Sequence, residues 1–334
     1  MTVEPGPEER PLPSPLPSPN GRGGRGEGAE SLPVGKGGLY WQLARPFTLL
    51  APAVGMVSGA VMDLGASGGL RLSAMTLVRL VSGALLAILL NAASNSLNQI
   101  YDLEGDRINK PARPLPRGAL TVREAWWFAL ACGAGALGLA GALSWQCFLV
   151  VLLGAIAAWA YSAPPFRTKR HWLLSNLTIA TARGLLLIVA GWAVTGDVFV
   201  GPVWWEPWLV GGLFGLFLLG AASTKDFSDM LGDRAMGCVT LPIRFGMENA
   251  AALMLPSFVL PFLLLILAAQ KGWIRADRTL ATLLGAVLAV WGGYVAYLVG
   301  RRPEELAREN HPSWGHMYLM LMTFQVGLAI AYLR

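Results

Sequence analysis

Nine stretches of this chain stay apolar over the roughly twenty residues an α-helix needs to cross a hydrocarbon core, and few folds tolerate that pattern. They fall at about 42 to 63, 80 to 101, 122 to 143, 145 to 163, 173 to 195, 207 to 226, 248 to 270, 278 to 299 and 314 to 333. With 54% hydrophobic and 14% charged residues and a mean hydropathy of +0.50, the composition lies outside the range of soluble domains. In lipid each backbone polar group must be satisfied within the protein, and runs of this length do so as helices. The expected fold is all-α, a polytopic membrane bundle of nine transmembrane helices over residues 39 to 334.

Residues 1 to 38 differ in kind. The run Pro11-Leu12-Pro13-Ser14-Pro15-Leu16-Pro17-Ser18-Pro19 precedes Gly21-Arg22-Gly23-Gly24-Arg25-Gly26, too little apolar surface to offset ordering, so a disordered cytoplasmic tail is expected. It lacks the apolar core of a cleavable signal peptide. A proline-rich segment also suits an SH3-type partner, and a scaffold working through it would lose its function on deletion of residues 1 to 38.

Basic residues alternate between the two sets of loops. Arg107, Lys110, Arg113, Arg117 and Arg123 follow the second span, Arg167, Lys169 and Arg170 the fourth, Lys225, Arg234 and Arg244 the sixth, and Arg301, Arg302 and Arg308 the eighth. The opposite loops carry fewer, among them Arg71, Lys271, Arg275 and Arg278, with the acids Asp197 and Glu206 between the fifth and sixth spans. Positive charge stays on the cytoplasmic side, which places the N-terminus and both motifs described next in the cytoplasm, with a bacterial inner membrane as the expected location.

The pattern Asp-x-x-Gly-Asp-Arg occurs twice, as Asp102 to Arg107 and Asp229 to Arg234, and each copy closes a span, the second and the sixth. One shared hexapeptide hints at an internal repeat and is weak evidence alone. Continued as helix, Asn98, Asp102 and Asp106 form one stripe, and Asp226, Asp229 and Asp233 another. Carboxylates at membrane depth cost about 2.5 to 3.5 kcal/mol each on insertion scales, so such clusters call for water or cations. An all-oxygen set beside a phosphate suits Mg²⁺, and nothing here offers the nitrogen and sulfur ligands of zinc or copper. Cys132, Cys147 and Cys238 lie far apart in the sequence and read as helix-packing residues, and the i,i+5 spacing of His311 and His316 is poor for a metal.

Arg113, Arg117, Lys169, Arg170 and Lys225 are placed to bind phosphate oxygens or serve only as orientation charge. Tyr161 leaves the fourth span ahead of Pro164-Pro165; it is either an interface anchor or a ring that stabilises a cation. Arg183, in the middle of the fifth span, requires a carboxylate or a substrate as its partner.

Taken together these residues resemble the UbiA superfamily of intramembrane prenyltransferases. The likeness covers nearly the whole chain after the tail, through Asn98-x-x-x-Asp102-x-x-x-Asp106, the Asn109-Lys110-Pro111 to Arg117-Gly118 loop, Tyr161-Ser162-x-Pro164-Pro165, and Asp226-x-x-Asp229-x-x-x-Asp233. It implies transfer of an isoprenyl chain from an allylic diphosphate to a hydroxylated aromatic acceptor in quinone-type biosynthesis, with Mg²⁺ bridging the acidic motifs. Arg113, Arg117, Lys169, Arg183 and Lys225 would bind substrate, Tyr161 would shield the allylic cation, and Asp106 or Asp229 would take the last proton. The implied partners are a prenyl diphosphate, a lipophilic acceptor and the bilayer, with no nucleic acid.

Departures from the family pattern leave the acceptor open. Gln99 stands where many members have Asp, with Glu104 as a substitute. The Lys225 to Asp229 run and Thr181-Ala182-Arg183-Gly184 resemble homogentisate prenyltransferases. The Arg113 to Gly118 loop is closer to chlorophyll synthases and to enzymes that prenylate geranylgeranylglyceryl phosphate, and it disfavours 4-hydroxybenzoate. A cation-coupled transporter is the rival class, although transporter sites lie near the midplane on broken helices.

Overall fold

The computed structural model describes residues 35–69, 73–308 and 310–334. Among them nine helices are long and apolar enough to cross a membrane. In chain order the spans are Pro46–Ala66, Ala74–Tyr101, Val122–Leu143, Trp145–Ser162, Trp172–Trp192, Glu206–Phe227, Leu241–Lys271, Arg278–Arg301 and Pro312–Tyr332, numbered 1 to 9 below. Each lies where an apolar run predicts one. Of the tail expected over 1 to 38, residues 1–34 fall outside the described residues, as does Arg71. From Lys36 to Ala44 the chain is already helical, and the Lys36 ammonium reaches Glu124 at 2.6 Å.

Local chemistry sets the span boundaries. Ser73 begins span 2 by accepting the Thr76 N–H at 3.0 Å, which carries the helix six residues further out than the apolar run predicts. Thr121 and Glu124 form a reciprocal capping box on span 3. Ser144 alone joins spans 3 and 4: its extended backbone stops one helix while its hydroxyl caps the next at Cys147 N–H and donates to the Ala193 carbonyl at 2.7 Å. Span 7 is interrupted at Gly246 (φ 78, ψ 163), so the part beyond that break matches the expected 248 to 270.

Spans 1, 5, 6 and 7 are the most buried of the bundle, and span 9 packs against them. Helices pack in lipid through close backbone approach at small residues. Span 1 meets span 5 at Gly59, where an added Cβ would lie 2.6 Å from the Ile188 carbonyl oxygen. Span 5 meets span 6 at Gly184, where it would lie 2.5 Å from the Gly215 Cα. Phe214 and Phe324 stack with ring centroids 3.8 Å apart, joining span 6 to span 9. The three cysteines are buried and free.

At the end of the bundle away from the two acidic motifs, Glu206 is 1% exposed yet fully partnered. Its carboxylate accepts the Arg275 backbone N–H at 2.7 Å, the Arg275 Nε–H at 2.6 Å and the Tyr332 hydroxyl at 2.6 Å. Arg275 also donates to the Ala66 carbonyl at 3.0 Å. One buried carboxylate thus ties together the ends of spans 1, 6 and 9 and the loop between spans 7 and 8.

Candidate active site

Both acidic motifs interrupt their helices at the same point. Continuous helical stripes are expected from the sequence, but Asp102 (φ −101, ψ 9) and Asp229 (φ −98, ψ 3) leave helical geometry. Each is followed by a short helix, Leu103–Asn109 and Met230–Ala235, which pack against each other across the end of the bundle. Rather than continuing along one axis, each acidic row bends at its middle member. All six motif residues still face one chamber of about 1580 Å³, including its opening to solvent.

Basic side chains neutralise much of that charge. Asp102 accepts the Asn98 amide N–H at 2.8 Å, pairs with the Lys169 ammonium and has the Arg167 guanidinium at 3.9 Å. Asp106, 7% exposed, pairs with Arg113 through one oxygen at 2.5 Å. Both oxygens of Asp229 are occupied, one by Lys110 at 2.6 Å and the other by Lys225. Burial raises the Asp229 pKa, but Lys225 and Lys110 outweigh it and hold the carboxyl down to about 2. Burial pushes Asp233 up to about 6 and Lys169 down to about 8. Among the described residues Asp226 has no basic partner within bonding distance, and its buried Oδ2 has no hydrogen-bond donor.

Tyr161, Lys169, Arg183 and Lys225 line the chamber. Arg183 lies on a π-helical turn, Ala180–Leu185, and donates to the Asn95 side-chain oxygen at 3.4 Å. Two expectations need correction. Arg117 is exposed and turned away from the chamber, bonded at 3.2 Å to Gln42, because the turn after Pro114 directs it toward the Lys36–Ala44 helix. Arg170 is also exposed and outside the chamber lining. Glu104, the expected substitute for the missing family acid, is exposed and paired with Arg107 at 2.7 Å. Gln99 is buried and donates to the Leu43 carbonyl at 2.7 Å.

Two contributors escaped the sequence reading. Lys110 figured there only as loop charge. Arg45, just before span 1, adopts the left-handed conformation (φ 59) and lines the chamber. Side chains of span 2 hold this junction: Asn95 donates to the Ala44 carbonyl at 2.8 Å and Asn91 to the Thr48 carbonyl at 3.0 Å. Burial and the nearby Arg113 and Arg183 push the Arg45 pKa down to about 10. Asn91, Asn95 and Gln99, amides that join Asn98 in the second half of a largely apolar span, were the available signal.

The other walls are apolar. Val150 and Val151 of span 4 and Leu186 and Leu187 of span 5 extend the chamber among the helices. Among the described residues no three acidic, histidine or cysteine side chains are gathered closely enough to cage an ion unaided. The donors are all oxygen, and a Mg²⁺ site usually leaves several positions to water and phosphate, so this arrangement fits that ion.

A helical membrane bundle with opposed acidic motifs, a basic rim and an apolar extension defines an intramembrane cavity built for a substrate with one charged and one greasy end. Residues 53–314 match the model of the UbiA prenyltransferase family. A homogentisate phytyltransferase from Synechocystis sp. is 34% identical over 221 residues, covering 63% of this chain and 69% of that protein. The digeranylgeranylglyceryl phosphate synthase of Methanopyrus kandleri is 30% identical over 276 residues, 77% of this chain and 90% of its own. A UbiA homolog from Archaeoglobus fulgidus bound to GPP and Mg²⁺ superposes with a TM-score of 0.69 at 22% identity, over 88% of this chain and 99% of that one. The chain belongs to the UbiA prenyltransferase family, and the transporter reading is set aside.

Proposed function

We propose that this prenyltransferase moves an isoprenyl chain from an allylic diphosphate to a hydroxylated aromatic acceptor, at the cytoplasmic face of a bacterial inner membrane. One observation carries the reading: both acidic motifs and four basic side chains, Lys110, Arg113, Lys169 and Lys225, converge at one end of a chamber whose remaining walls are largely apolar. A diphosphate suits the charged end, and a prenyl tail suits the apolar end, where it gives up no polar contact. The Archaeoglobus homolog, bound to GPP and Mg²⁺, supports the same pairing of ligands.

Asn98, Asp102, Asp106, Asp226, Asp229 and Asp233 would hold Mg²⁺, whose chemistry is to neutralise charge developing on the departing diphosphate. The protein's own cations act in the same direction. Lys169, Lys110 and Lys225, paired with carboxylates in the free protein, are within reach of a diphosphate lying between the motifs. As the carbon–oxygen bond breaks, the Tyr161 ring faces the allylic cation while the apolar walls exclude water that would quench it. The acceptor carbon attacks, and a carboxylate takes its proton. Asp229 already bridges two ammonium groups, whereas Asp106 keeps one oxygen free of Arg113, which favours Asp106 for this step.

Arg45 and Arg183 are the two chamber cations that form no ion pair among the described residues. They suit an acceptor with an anionic substituent, as in homogentisate, the substrate named for the Synechocystis relative. Replacing Arg183 with alanine is expected to raise KM for a carboxylate-bearing acceptor by about 10- to 100-fold, the range for one charge-assisted hydrogen bond, without raising donor KM. Assaying purified protein with labelled prenyl diphosphates and a panel of homogentisate, dihydroxynaphthoate, chlorophyllide and geranylgeranylglyceryl phosphate tests the reading. Mg²⁺-dependent product from an aromatic acceptor supports it, and product only from the glyceryl phosphate overturns the acceptor assignment.

A further inference from the structure

The glycine shared by the two motifs points to a role for a residue outside them. Gly105 and Gly232 each lie three positions after the kinked aspartate, on short helices that pack against each other. Each faces the residue seven positions after the other motif's kink. An added Cβ at Gly105 would collide with the Met236 sulfur, and one at Gly232 would meet the Asn109 Cγ at 2.7 Å. The contact is reciprocal in place but not in chemistry. Met236 is a flexible apolar cover. Asn109 is a clamp: its Nδ2–H donates to the Asp229 carbonyl at 3.2 Å, and its Oδ1 accepts the Gly232 N–H at 3.1 Å.

The next residue, Lys110, holds the Asp229 carboxylate at 2.6 Å. The chain leaving the first motif therefore grips the second by backbone and side chain together. We infer that Asn109 is a positioning residue that fixes the separation of the two acidic motifs, so that one Mg²⁺-diphosphate can engage both. This rests on the reading above that the motifs share one diphosphate. Asn109 borders the chamber but commits both polar atoms of its side chain to the second motif's backbone. It acts through Asp229 and Gly232, whose backbone carbonyl and N–H it holds. Gly232 is required because any side chain there displaces the amide, whereas the Met236 side chain can move away from a methyl group at Gly105.

The test combines distance and kinetics. Spin labels on Arg107→Cys and Arg234→Cys, both exposed, with the three buried native cysteines replaced by alanine, report the separation of the two short helices by pulsed electron resonance. The parent should give one narrow distance distribution. Asn109→Ala and Gly232→Ala should broaden it and raise the Mg²⁺ requirement and diphosphate KM by about tenfold, as loss of two net hydrogen bonds predicts, with a smaller change in kcat. Gly105→Ala should keep the narrow distribution. Adding Asn109→Ala to Gly232→Ala should cost little more, because both remove the same clamp. If Asn109→Ala and Gly232→Ala keep the parent distribution, or if Gly105→Ala broadens it as much as Gly232→Ala, the inference is overturned. Failure of the parent to transfer a prenyl group would sink the functional reading instead, while the distance measurement still decides the clamp.

Discussion

Replacing Asp229 with alanine should reduce prenyl transfer by at least about a thousandfold, and Asp102→Ala should do the same, since several kcal/mol of charge stabilisation is at stake at tenfold per 1.36 kcal/mol. Each aspartate loses more than an oxygen ligand. Without Asp229, Lys110 and Lys225 face each other with no carboxylate between them. Without Asp102, the Lys169 ammonium, in a side chain only 7% exposed, has lost its ion-pair partner. Asp229→Asn keeps the volume and removes the charge, so it should be nearly as inactive. Steady-state turnover, read beside circular dichroism to confirm unchanged helix content, decides this. Full activity in either alanine variant would sink the metal assignment.

A second large effect is expected far from the chemistry. Glu206→Ala should destabilise the protein by about 2 to 4 kcal/mol, somewhat less than removing one partner of a fully buried pair because the Arg275 side chain is 39% exposed. The change strands the Tyr332 hydroxyl and frees the Arg275 loop together. Tyr332→Phe, which removes one hydrogen bond, should cost about 1 kcal/mol. The thermal denaturation midpoint in detergent reports both, and turnover below that midpoint should stay near the parent value because the cluster lies at the opposite end of the bundle. An unchanged midpoint in Glu206→Ala would show that the carboxylate does not hold those ends together.

The nine spans were legible because about twenty consecutive apolar residues have one stable backbone solution in lipid. Asn98 and the five acids were legible as a pair of repeated patterns, but their geometry was not. A helical stripe extrapolated through Asp102 misses the kink, which depends on packing between Gly105, Gly232, Asn109 and Met236, residues well over a hundred positions apart in two clusters. Arg117 went astray for a related reason. Within a loop, sequence proximity to a motif says nothing about direction, and the turn at Pro114 sends Arg113 inward and Arg117 outward. Arg45 was missed because its left-handed backbone is held by amides from another helix, a signal that lies some fifty residues away in the sequence. Glu206 and Arg275 looked like sparse loop charges, and only the fold brings them together beneath Tyr332.

The central claim is that both acidic motifs hold one diphosphate through Mg²⁺. The most direct measurement is calorimetric binding of an unreactive prenyl thiolodiphosphate to the parent, to Asp102→Ala and to Asp229→Ala, each with Mg²⁺ and with chelator. Tight binding should occur only in the parent with Mg²⁺ and be lost in both variants. Binding that survives removal of either aspartate, or that is unaffected by the chelator, would contradict a shared metal-diphosphate site.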